Sequence, residues 1–162
     1  MWQITADQRE QFLRLGASVI VGLVIGLDRH IRHKPAGVRT HGLVSLAAAV
    51  VTLGAANAFP QANVVQALQG VVSGVGFLGA GVILHAGKGD EDVHGLTTAA
   101  SVWFVASVGA TLGLGGWYIS LVATLFGMFV LLCGGLIEDL FARELARNKT
   151  TQTKGDPTDD KD

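Results

Sequence analysis

Residues 74–81 read GVGFLGAG, and Gly74, Gly76 and Gly79 meet the G-x-G-x-x-G spacing of a dinucleotide-binding turn. That reading requires a strand to end and a helix to open at the glycines, so that backbone N–H groups reach a pyrophosphate. The surroundings deny it. The stretch lies inside a run from Thr40 to Gly87, 48 residues without one Asp, Glu, Lys or Arg. A second such run extends from Val93 to Ile137, another 45 residues. A helix needs about 20 apolar residues to cross the hydrocarbon of a bilayer. The stretch therefore belongs to a membrane helix, and the fold class is all-α: a polytopic membrane protein built as a compact bundle of five transmembrane helices.

Composition agrees. Charged residues make up 15% of the 162, against about 25% in soluble domains, and glycine is high at 22. A net charge of -1 leaves no nucleic-acid footprint. Five apolar segments follow: Phe12–Leu27, Gly42–Phe59, Val64–Leu84, Leu96–Leu114 and Gly116–Ile137. The first has only 16 residues, and is expected to span by letting Arg14 snorkel outward while Asp28 and Arg29 sit near the opposite interface. Arg14 also interrupts the apolar build-up that a cleaved signal peptide would need. The transmembrane domain covers residues 1–137. Residues 138–162 form a tail, with EDLFARELARNK as a short helix and TTQTKGDPTDDKD expected to be disordered. The lone Cys133 has no disulfide partner and reads as a small apolar residue.

Orientation follows from Lys and Arg. The loop DRHIRHKPAGVRTH carries Arg29, Arg32, Lys34 and Arg39, the loop HAGKGDEDVHG carries Lys88, and the tail carries five more. Ten of the twelve basic residues then share one side, which the positive-inside rule makes cytoplasmic. An odd number of spans puts the N-terminus outside and the C-terminus in the cytoplasm.

Small residues recur at helical spacing. Ser18, Gly22 and Gly26 form a stripe on the first helix, Gly70 and Gly74 on the third, Gly109 and Gly113 on the fourth. The second has the pairs Ser45/Ala49 and Ala48/Thr52. Lipid gives helices no hydrophobic reason to associate, so bundles rely on the close backbone approach such stripes permit. In the third helix Gly70, Gly74 and Gly81 share a face that Gly76 and Gly79 do not. That pattern predicts a central helix crowded by neighbours on several sides, ahead of the other reading, a helix locally broken around a ligand.

Polar residues concentrate between the first two helices. Pro35 and Gly37 break the chain there, while Asp28 and Arg29 leave one helix and Arg39, Thr40 and His41 enter the next. Ionisable groups at membrane depth face protein interiors and mark function, which makes these five, with Thr97 and Thr98 at the start of the fourth helix, the candidate functional cluster. Ser101 and Ser107 lie deeper and read as bonded to their own backbone or to a neighbouring helix. Asp90, Glu91 and Asp92 share the predicted cytoplasmic side and offer the oxygen ligands a hard cation such as Mg²⁺ takes, although an acidic run is equally a solvated loop. His30 and His33 have i, i+3 spacing but no matching third ligand for a transition metal. No Ser-His-Asp or Cys-His arrangement has a recognisable context, so no enzymatic chemistry and no cofactor are expected.

Three motifs together, GLDRHIRHKPAGVRTHGLV (Gly26–Val44), GVGFLGAGVI (Gly74–Ile83) and GLTTAASVW (Gly95–Trp103), resemble the MgtC/SapB family of bacterial inner-membrane proteins in order and spacing. The likeness covers about residues 10–137. It implies a five-helix domain in the cytoplasmic membrane. Members are associated with adaptation to low Mg²⁺ and survival inside phagocytes, and some with restraint of the proton-driven ATP synthase. The family's acidic–basic pair falls on Asp28 and Arg29, where members more often have Glu first. Its Arg-Thr-His step falls on Arg39, Thr40 and His41, and its Thr pair on Thr97 and Thr98. Several members carry a soluble C-terminal regulatory domain that this chain is expected to lack, so that domain's behaviour does not transfer.

Two functional expectations result. In the first, the chain is a non-enzymatic regulator acting through helix-face contacts on another membrane complex such as the ATP synthase, under Mg²⁺ or acid stress. In the second, it is a small transporter or channel for Mg²⁺ or another ion, with Asp28, Arg29, Arg39 and Thr97 lining a polar path. Self-association through the glycine stripes, most simply as a homodimer, is compatible with both.

Overall fold

A computed structural model describes residues 5–58, 62–86 and 95–153. All its regular structure is helical: α1 Ala6–Ile31, α2 Val38–Ala58, α3 Ala62–Ala86, α4 Leu96–Gly113 and α5 Trp117–Thr153. Each of the five contains a segment long and apolar enough to cross a membrane. The class read from the sequence is the class observed.

The first helix is longer than its apolar run. It has 26 residues and begins at a capping box, in which Thr5 Oγ1 accepts from the Gln8 amide and Gln8 Oε1 accepts from the Thr5 amide. These reciprocal bonds satisfy orphan donors of the first turn and let polar residues start the helix. At the other end nothing stops it before Ile31, so Asp28 and Arg29 are helical residues rather than loop residues. The turn that follows closes with His33 N–H donating to the His30 carbonyl and Lys34 N–H to the Arg29 carbonyl. His33 occupies the left-handed region there, with φ of 54°, where glycine is usual. The α4–α5 turn makes the same pair of bonds with Gly115 at φ of 85°.

Arg14 does not simply reach outward. Its Nε donates to Glu10 Oε1 at 3.0 Å and its Nη1 to the Gly113 carbonyl at 3.3 Å. It thus satisfies a terminal carbonyl of α4 with a charge of the favourable sign. Trp117 Nε1 donates to the same carboxylate oxygen at 3.1 Å.

The chain divides into two units, Met1–Thr124 and Leu125–Asp162. In the first, α4 packs against α1, α2 and α3, and α2 packs against α1 and α3. The centre is α4, not α3: 56% of its spanning window is buried, against 6% for that of α3. Glycine explains the difference. A Cβ on Gly22 would lie 2.6 Å from the His41 carbonyl oxygen, and one on Gly26 would lie 2.7 Å from Val38 Cα. One on Gly109 would overlap the backbone of Ser45, and one on Gly113 would lie 2.5 Å from the Ala49 carbonyl oxygen. At Gly70, Gly74, Gly76 and Gly81 a Cβ would meet nothing within 4 Å among the described residues, and at Gly79 only ordinary contact with Ala99. The crowding expected around α3 is therefore not seen among the described residues. Backbone contact instead ties α1 to α2 and α2 to α4. Val102, Ala106 and Ala110 of α4, Ala48 of α2 and Val75 of α3 fill the space between.

The second unit contains the continuation of α5. The helix does not stop at Ile137 for a separate short helix but runs unbroken to Thr153. EDLFARELARNK consists largely of strong helix formers and has no Gly or Pro. Thr150–Thr153, expected to be disordered, are helical; the rest of that tail lies outside the described residues.

Gly109→Ala should destabilise the folded protein by about 1–3 kcal/mol through overpacking. Gly76→Ala, which meets open space, should be neutral or stabilising by up to about 1 kcal/mol through helix propensity. Thermal unfolding in detergent, followed by circular dichroism, separates the two.

Candidate functional site

The end of α1 and the starts of α2 and α4 bring together Arg29, His41, Thr98 and Ser101, four of the buried polar residues of the first unit. Asp28 and Arg29 occupy the last turns of α1, with side chains 9% and 3% exposed. Asp28 Oδ1 accepts from Arg32 Nε at 2.9 Å, one turn on, and Asp28 Oδ2 lies 4.0 Å from Arg29 Nη1. The carboxylate thus stands between a buried guanidinium and one that is 29% exposed. A charge taken out of water this far requires a counter-charge, and adjacency in the helix supplies it.

His41 is fully buried. Gly26 and Gly22 make room for it: a Cβ on Gly26 would lie 3.1 Å from His41 Cβ. Its Nδ1 is 3.0 Å from the Gly37 carbonyl, one turn back, and its Nε2 is 3.0 Å from Ser101 Oγ on α4. Ser101 Oγ is in turn 2.7 Å from the Thr98 carbonyl. One imidazole therefore joins the first turns of α2 and α4 where α1 seals them from the side.

The polar seam continues along α2. Ser45 and Thr52 are both fully buried. Thr52 Oγ1 is 3.0 Å from the Ala110 carbonyl of α4 and 3.0 Å from its own Ala48 carbonyl, so a single hydroxyl proton is shared across the interface. Ser45 Oγ has no hydrogen-bond partner among the described residues.

The sequence-derived cluster is divided by this geometry. Asp28, Arg29, His41 and Thr98 are buried in it; Arg39, Thr40 and Thr97 are exposed and lie outside it. Ser101 and Thr52 belong to the seam and were not among the predicted residues. Their signal was helical spacing: His41, Ser45 and Thr52 fall on one face of α2, and Ser101 lies one turn beyond Thr98 on α4. The acidic run Asp90, Glu91 and Asp92 lies outside the described residues. Among those described, no three His, Cys, Asp or Glu side chains are grouped as metal ligands would be.

These features define a multi-pass α-helical membrane protein with buried charged and polar side chains where three helices meet. The family model described as the MgtC family matches residues 15–140, and the chain belongs to that family. It is 40% identical over 129 residues to Protein SrpB of Synechococcus elongatus, covering 73% of this chain and 71% of that protein. It is 40% identical over 125 residues to Protein MgtC of Salmonella typhimurium, covering 77% of this chain and 51% of that one. Protein SapB of Bacillus subtilis is 34% identical over 133 residues, 77% of this chain and 55% of its own length. The chain thus spans about half the length of the MgtC and SapB relatives. No solved structure matches it.

Asp28→Asn should destabilise the protein by about 2 kcal/mol or more, because it leaves the buried Arg29 charge without its carboxylate. Arg32→Ala should cost about 1 kcal/mol or less, since that partner is partly solvated. Denaturant unfolding of both variants in micelles tests the order, and equal losses would contradict it.

Proposed function

We propose that this chain is a non-enzymatic regulatory protein of the bacterial inner membrane, supporting adaptation to low Mg²⁺ or acid stress by contacting other membrane complexes, the ATP synthase among them. Membership of the MgtC family supports the physiological setting. The Lys and Arg distribution supports an N-terminus outside and a C-terminus in the cytoplasm.

The observation that carries the regulatory reading over the transport reading is the packing at His41 and Ser45. Glycines of α1 and α4 lie directly against the α2 backbone there, so the buried polar groups bind helix to helix. The groups assigned to a transport path do not share one surface, because Arg39 and Thr97 are exposed where Asp28 and Arg29 are buried. Gly70 and Gly74 of α3 line an apolar groove whose other wall is Val44, Ala48 and Val51 of α2, and a Cβ at either glycine would meet open space; that groove is where another protein or a second copy of this chain would make contact.

A deletion strain grown across a Mg²⁺ series should lose growth at the low end and show altered ATP level and membrane potential. The wild-type gene should restore all three. Gly74→Leu, which fills the open groove between α2 and α3, should fold and yet fail to restore them. Protein in liposomes loaded with a Mg²⁺ or pH dye should carry no flux. Flux abolished by Asp28→Asn would establish the transport reading instead.

A further inference from the structure

The contacts around His41 demand more protons than a neutral ring can provide. Three short heteroatom contacts run in series: Gly37 carbonyl to Nδ1 at 3.0 Å, Nε2 to Ser101 Oγ at 3.0 Å, and Ser101 Oγ to the Thr98 carbonyl at 2.7 Å. The two ends are carbonyl oxygens, which only accept. Each contact needs one hydrogen. A neutral imidazole brings one and a serine hydroxyl brings one. If the ring hydrogen is on Nδ1, the hydroxyl can serve Nε2 or the Thr98 carbonyl, but not both. If it is on Nε2, the Nδ1 lone pair faces the Gly37 carbonyl. A cationic ring brings two hydrogens, and with the hydroxyl all three contacts are made.

We propose that His41 is a buried proton-binding site whose occupancy α4 reads through the Ser101 hydroxyl. A proton from solvent adds to the unprotonated ring nitrogen. Nε2–H then donates to Ser101 Oγ, and the hydroxyl hydrogen is committed to the Thr98 carbonyl. Loss of the Nε2 proton, which leaves Nδ1–H on the Gly37 carbonyl, frees that hydroxyl to turn toward the ring, and one contact in the first turn of α4 lapses. The charges bearing on the ring come from α1: Arg29 acts on it directly, with Asp28 Oδ2 4.0 Å behind. On α2 itself Arg39 is exposed and points away from the seam. Helix α4 contains no titratable residue, and α3 contains only His85 near its end. In the turn before α2, Arg32 is held by Asp28 and His33 and Lys34 are exposed, while His30 lies beside Gly37. The site holds whether or not the chain acts on another complex, since its ligand is a proton and its readout is a helix of the same chain.

The test is ¹⁵N-histidine NMR of the full chain in lipid nanodiscs from about pH 8 to about pH 5, the range in which imidazoles titrate. His41→Gln assigns the resonance. Exchange of the α4 amides from Ala99 to Trp103 is followed in parallel. The expected result is a ring that gains its second N–H within this range, while those amides become roughly fivefold better protected, as one added hydrogen bond would give. In Ser101→Ala the ring should still titrate and the α4 amides should not respond. A His41 ring neutral throughout would overturn the proton site. Titration in the wild type with unchanged α4 exchange would overturn the coupling, and this comparison needs no variant to fold.

Discussion

The contact between glycine and the α2 backbone is the constraint on which the rest of the first unit depends. In lipid, burying a leucine against another helix gains little over burying it against acyl chains, so association needs something lipid cannot supply. Here that is backbone proximity. Gly22 and Gly26 bring α1 onto the His41 turn, and Gly109 and Gly113 bring α4 onto Ser45 and Ala49. Helix α2 is held between them on two faces. Only at such separations can short side chains bridge the helices, as Thr52 does to the Ala110 carbonyl and Ser101 to His41.

The polar cluster follows from the same constraint. Arg29 and His41 are buried because close-packed helices exclude both lipid and water from their ends. Once there, each must be paired locally. Arg29 has Asp28 beside it on its own helix; His41 has a carbonyl one turn back and a hydroxyl across the interface. At the far end of α1, Arg14 reaches the last turn of α4 and shares Glu10 with Trp117. Helix α4 is therefore fastened to α1 by charge-assisted contacts at one end and to α2 by the His41 chain near the other.

The spans were legible because uncharged runs of this length have one physical meaning. Their ends were less so. The polar first turn of α1 is set by a Thr5–Gln8 capping box that hydropathy does not register, and α5 continues through a charged segment rich in helix formers. Within the site, chain neighbours proved a poor guide. Successive helical residues point about 100° apart, so Arg39 and Thr40 turn outward while His41 turns in, and Thr97 is exposed while Thr98 is buried. Glycines were the hardest to read. The α3 motif GVGFLGAG is the richest in the chain, yet the contacts are made by isolated pairs on α1 and α4. Spacing shows that a helix can be approached closely; which helix approaches is decided by the whole bundle.

Cysteine accessibility tests the central claim most directly, that α1 and α4 close on α2 and seal its polar face. In a Cys133→Ala background, single cysteines at positions 39, 45, 97 and 101 would be exposed to a water-soluble maleimide in opened membranes. Cysteines replacing Arg39 and Thr97 should label readily, and those replacing Ser45 and Ser101 should stay unlabelled until the protein is unfolded. Rapid labelling of 45 and 101 in the folded protein would mean that water reaches the seam, and the packing described for α1, α2 and α4 would be wrong.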